Sequence, residues 1–114
     1  MEKIIKIGDR EFSVKSTAAS LFRYKNNFNR DGLQDLMRLA KSMPKGKEIG
    51  DDFELDVFYR FLWTFAKAAD NNIKPMIDWL DGFEILPIDF ISEALPQVQD
   101  LLISSVQSNV KSKN

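Results

Sequence analysis

Apolar residues recur at intervals of three and four along Phe53–Ala69, the best-marked stretch of the chain. Leu55, Phe58, Leu62, Phe65 and Ala69 trace one face, Tyr59, Trp63 and Ala66 widen it, and Phe61 falls beside it. That spacing is the helical period. Only Asp56, Arg60, Thr64 and Lys67 make a polar stripe, so the helix is apolar over most of its circumference. A helix of this kind is packed from several sides. The stretch predicts a central helix ~27 Å long at 1.5 Å per residue, capped by Asp51 or Asp52.

The N-terminus has a different period. Ile4, Ile5, Ile7, Phe12 and Val14 roughly alternate with polar residues on either side of Gly8-Asp9-Arg10. Alternation around a tight-turn sequence predicts a β-hairpin, about residues 3–7 and 11–15. A lone two-stranded hairpin is marginal in water. One face must therefore lie on helices, or an edge must pair with another chain.

Between the two, Ser16 and Thr17 are suitable caps for a helix over about 17–28, with Ala18, Leu21, Phe22, Lys25 and Phe28 on one face. Arg30-Asp31-Gly32 makes a turn. A second helix follows from Leu33 to about Ser42, with Leu33, Leu36, Met37 and Ala40 inward. Residues 43–50, with one Pro and two Gly, read as the most flexible loop. After the central helix, Pro75–Asp81 forms a short helix that stops at Gly82. The last helix runs over about 88–108, and Pro96 should kink it or split it. The fold class is α+β: an N-terminal β-hairpin packed on a mainly helical domain of about five helices around a central aromatic helix. Residues 1–110 form one domain, and 111–114 form a flexible C-terminal tail.

Composition narrows the chemistry. With 44% hydrophobic and 29% charged residues over 114 positions, the chain is globular and long enough for one core. It contains neither Cys nor His. Disulfides, Cys-based metal sites, the commonest general base and the commonest metal ligand are thereby excluded. No apolar run approaches the ~20 residues of a membrane span. The opening residues do not read as a signal peptide, which predicts a cytoplasmic protein.

No glycine-rich phosphate loop and no nucleophile–base pair is present, and no catalytic residue, cofactor or metal is assigned. Asp78, Asp81, Glu84 and Asp89 gather around Gly82 in the sequence and could hold a hard cation, but their spacing does not match a calcium loop. Helix-end surface charge is the better account of them.

Charge is unevenly distributed. Eleven of the 16 Lys and Arg lie in the first 47 residues, whereas twelve of the 17 Asp and Glu follow them. A basic and an acidic half predict weak, salt-sensitive self-association, unless both are simply solvated surfaces. The two helices around Gly32 have a helix-turn-helix outline, with Gln34, Asp35, Arg38 and Lys41 on the would-be reading helix. One acid among two bases is a poor phosphate surface, so no specific nucleic acid is expected.

The order of these motifs is itself informative. Lys-Ile-Gly-Asp-Arg-Glu-Phe lies in the hairpin (6–12), and Ala-Ser-Leu-Phe-Arg-Tyr in the first helix (19–24). Phe-Leu-Trp-Thr-Phe-Ala-Lys-Ala-Ala-Asp (61–70), Trp79-Leu80-Asp81-Gly82-Phe83 and a Lys/Ser/Asn tail follow. Over nearly its whole length the chain resembles the tail assembly chaperones of long-tailed phages and prophages of Gram-positive bacteria. The resemblance implies a non-enzymatic protein that binds the tape measure protein and keeps it soluble before the tail tube forms around it. It also implies a longer form made by ribosomal frameshifting, for which Ser112-Lys113-Asn114 can be encoded on a slippery run. No family residue is carried over to this chain.

A chaperone for a long amphipathic helix needs an apolar groove with aromatic anchors. The expected exposed anchors are Trp79, Phe83 and Phe90, beside Ile85 and Leu86. A capping minicore over the central helix is the competing reading of the same residues. Two other functions remain open: a structural tail or connector subunit retained in the particle, and a small DNA-binding regulator.

Overall fold

The structure is a computed structural model that describes residues 1–46 and 48–111. Two strands open it, β1 (Glu2–Ile7) and β2 (Arg10–Lys15). They pair antiparallel in a register that places Ile5 opposite Phe12 and Ile7 opposite Arg10. Gly8 takes φ 64° at the turn, a left-handed conformation that favours glycine. Five helices follow: α1 (Ser20–Phe28), α2 (Gly32–Lys41), α3 (Leu55–Ala69), α4 (Met76–Asp81) and α5 (Pro87–Lys111). The predicted α+β architecture, a hairpin on a helical body, is the architecture found.

The central helix is α3. Phe61 to Ala66 are all buried, six consecutive residues and so every side of the helix at its middle. It packs against β2, α1 and α2, while α5 packs against β1 and α2. Thr64, expected in the polar stripe, is buried and donates its hydroxyl hydrogen bond to the Arg60 carbonyl at 2.7 Å. Trp63 donates from Nε1 to the Lys74 carbonyl at 2.9 Å, which ties α3 to the segment leading into α4.

Several local expectations are corrected. Neither Asp51 nor Asp52 caps α3. Its N-cap is Glu54, with no side-chain cap hydrogen bond, and the Glu54 N–H instead donates to Ser42 Oγ at 3.1 Å. Helix α1 begins at Ser20 rather than 17. Thr17 and Ser20 bond each other across a tight turn, with Thr17 N–H donating to Ser20 Oγ. Pro96 does not split the last helix, which continues through it. Of the predicted tail, Lys111 ends α5, and residues 112–114 lie outside the described residues.

Helix α5 also secures one edge of the hairpin. Gln97 Oε1 accepts from Lys6 N–H at 2.9 Å, and its Nε2 donates to the Lys6 carbonyl at 2.6 Å. Glu93 Oε1 accepts from Gly8 N–H at 2.8 Å, and Lys3 pairs with Asp100 at 3.4 Å. Residues 93, 97 and 100 share one helical face, so a single row of side chains satisfies the outward backbone groups of Lys6 and Gly8.

Candidate partner-binding surface

Trp79, Phe83 and Phe90 are buried, at 5%, 7% and 3% exposure. They are not surface anchors. Phe12 of β2 reaches over them, with its ring centroid 5.1 Å from Trp79 and 5.6 Å from Phe83. Phe83 lies 5.1 Å from Trp79 and from Phe90, and all these contacts are edge-on. The Arg10 guanidinium covers the Phe83 ring at 4.2 Å. The residues form the capping minicore, because a side chain seventy positions earlier in the chain closes over them. Gly82 belongs to this closure: a Cβ there would stand 2.5 Å from Arg10 Nη1. Ile85 is half-buried, and of the five expected anchors only Leu86 is exposed, at 67%. No group of three carboxylates among the described residues is placed to hold a metal ion, so Asp78, Asp81, Glu84 and Asp89 remain a feature of the sequence.

Exposed apolar side chains lie elsewhere. Phe22 on α1 is 75% exposed, and Leu33 and Met37 on α2 are about half exposed. Leu33 and Met37 were expected inward. The buried stripe of α2 is instead Gly32, Asp35, Leu36 and Leu39, displaced round the helix from the predicted one. Likewise Tyr24, not Phe22, is the buried aromatic of α1, and it stacks on Phe61 at 4.2 Å.

Phe22 and Leu33 face a shared apolar hollow of about 330 Å³, completed by Leu21, Lys25, Asp31 and Gly32. Gly32 lets the two helices approach. A Cβ at this position would lie 3.1 Å from the Leu21 carbonyl oxygen and 3.3 Å from its Cα. Asp31 caps α2 by accepting from Gln34 N–H at 3.0 Å. The exposed Arg23 and Lys25 give the α1 side a basic rim.

The helix pair is fastened from beneath by a polar cluster. Asp35 is 2% exposed. Its carboxylate accepts from Tyr24 Oη at 2.7 Å, from Arg30 Nε at 2.6 Å and Nη2 at 3.0 Å, and from Arg38 Nη2 at 2.6 Å. Arg60 of α3 donates from Nε to Tyr24 Oη at 2.9 Å. One carboxylate therefore joins α1, α2 and α3. The hydrogen bonds from Arg30 hold the Asp35 carboxyl below its ordinary range against the opposing effect of burial. Burial, first among several influences, raises the Tyr24 phenol. Arg38 and Asp35, which lie on the would-be reading helix of the helix-turn-helix outline, pair with each other. The signal for this cluster was present in the sequence: an acid in the arc between Gly32 and Leu39, with arginines five before and three after it.

Among the described residues no helix is long and apolar enough to cross a membrane. Comparison of the chain with protein-family models, with curated proteins and with solved structures gives no match.

Proposed function

We propose that the chain is a non-enzymatic assembly chaperone that holds an amphipathic helical segment of a long partner on the outer face of α1 and α2. One observation carries this reading. Phe22, Leu33 and Met37 stand exposed on a helix pair whose other side is fixed by Asp35, Tyr24 and Arg60. A rigid helix pair with an exposed aromatic is suited to receive the apolar stripe of another helix. The resemblance to phage tail assembly chaperones supplies the partner class, the tape measure protein, and a place of action in the host cytoplasm. Many weak contacts along one long tape would gain by avidity.

Co-expression with a tape measure protein tests the proposal. The native chain should keep that partner in the soluble fraction, and Phe22→Ser should lose it. Because Phe22 is largely exposed, its removal should change folding stability by no more than ~0.5 kcal/mol, and circular dichroism would verify that. A central aromatic anchor is worth ~2 kcal/mol or more, about a thirtyfold loss in affinity. Undiminished binding by Phe22→Ser together with Met37→Ser would move the site away from this face. The Leu86 and Ile88 side chains at the start of α5, also exposed, would then be the next to substitute.

A further inference from the structure

The two edges of the hairpin are treated differently. On β1, side chains of α5 take up the outward backbone groups of Lys6 and Gly8. On β2, nothing comparable happens. Ser16 N–H donates to the Met1 carbonyl, and the Met1 amino group donates to the Ser16 carbonyl, so residue 16 points its backbone inward to β1. In an antiparallel ladder, inward and outward groups alternate. Given the register, Glu11, Ser13 and Lys15 therefore direct their N–H and C=O groups outward. None of these groups makes a hydrogen bond with another part of the chain among the described residues. The edge opens onto a groove of about 590 Å³ lined by residues 10–13 on one side and by parts of 66–82 on the other, with no residue of β1.

The side chains on this edge form a self-complementary series. Glu11 and Lys15 lie symmetrically about Ser13, and all three occupy the face of the strand opposite the buried Val14. Neither Glu11 nor Lys15 enters an ion pair among the described residues. Two copies of β2 placed antiparallel about a two-fold axis at Ser13 would set each Glu11 opposite the other copy's Lys15. The same register aligns three pairs of outward backbone groups, and each aligned pair exchanges two hydrogen bonds. A one-residue slip would lose both the charge pairing and the backbone match. Ile4, 69% exposed and opposite Ser13 in β1, would then lie in a row with Ser13, the partner's Ser13 and the partner's Ile4.

We propose that β2 is a homodimerisation edge and that a second copy of this chain pairs with it through Glu11, Ser13 and Lys15, forming a four-stranded sheet. This goes beyond the chaperone reading and does not rest on it, since it uses the hairpin and not α1 and α2.

Charge exchange tests the register. Opposite charges directly across a strand pair stabilise it and like charges destabilise it, and the two-fold axis doubles the effect. Sedimentation equilibrium should show the native chain dimerising, with Glu11→Lys or Lys15→Glu each weakening the dimer by about tenfold or more. Mixing those two variants should restore association as a heterodimer, and the double variant E11K/K15E should dimerise like the native chain. All substitutions are on exposed or half-exposed positions, and circular dichroism would verify folding. Because the chain has no Cys, Ser13→Cys provides a second readout. It should form a disulfide-linked dimer on mild oxidation, whereas Ile4→Cys, one strand further from the axis, should not. A native chain that stays monomeric at all concentrations overturns the proposal. So does a dimer that neither single charge variant weakens.

Discussion

Phe65→Ala is expected to cost ~3–5 kcal/mol of folding stability through lost burial and the cavity left behind. Phe65 is 1% exposed in the middle of α3, beside Phe61 at 5.9 Å between ring centroids. Its surroundings are contributed by several elements, since α3 meets β2, α1 and α2. No single neighbour can collapse to fill the space, because each is held by its own contacts elsewhere. Against a typical total of ~5–15 kcal/mol, this loss leaves the fold marginal, with a fall in Tm of about 10–20 °C. Phe22→Ala is the matched control: the same chemical change at 75% exposure should move the midpoint hardly at all. Urea titrations of the two variants beside the native chain would measure both. A native-like midpoint for Phe65→Ala would count against α3 as the centre of the fold.

That pair of phenylalanines also shows how far the sequence could be read. The position of α3 followed from a long run that is apolar over most of its circumference, broken only by a thin polar stripe. The hairpin followed from rough alternation about the Gly8-Asp9 turn. Helices α1 and α2 were harder, because each carries two apolar stripes and only one can be buried. In α2 the stripe through Leu33 and Met37 competes with that through Leu36 and Leu39, and the second is buried because Asp35 beside it finds three arginines and a tyrosine. A pattern of apolar residues has no means of registering a buried carboxylate. The minicore was ambiguous for another reason. Helix α4 has six residues, too few to establish a period, and what covers Trp79 and Phe83 is Phe12 and Arg10, far away in the chain. Non-local closure decided which aromatics were buried, and so moved the candidate binding surface from the α4–α5 corner to α1 and α2.

The fixing of that surface rests on Asp35, and its removal is the second large effect expected. Asp35→Ala leaves the Tyr24 hydroxyl without its acceptor, and the Arg60 guanidinium, 18% exposed, without the carboxylate 3.8 Å from it, at the junction of three helices. Breaking a buried ion pair by deleting one partner costs ~3–5 kcal/mol. Arg30 and Arg38 are 43% and 46% exposed and can turn to water, so the expected loss is smaller, ~2–4 kcal/mol. Acidity separates the charge from the shape. The folded protein holds the Asp35 carboxyl below its unfolded value of ~3.9, chiefly through Arg30. A group with a lowered folded value adds stability in full above the unfolded value, and that contribution disappears as pH falls through the folded one. Asp35→Asn keeps the volume and removes the charge. At pH 7 the native chain should therefore be clearly more stable than Asp35→Asn. The difference should begin to narrow below about pH 4 and shrink towards zero as the carboxyl protonates. Guanidinium denaturation of both proteins across pH 2.5–7 would trace the narrowing. A difference that stays constant over that range would show that the carboxylate's charge does not hold α1, α2 and α3 together.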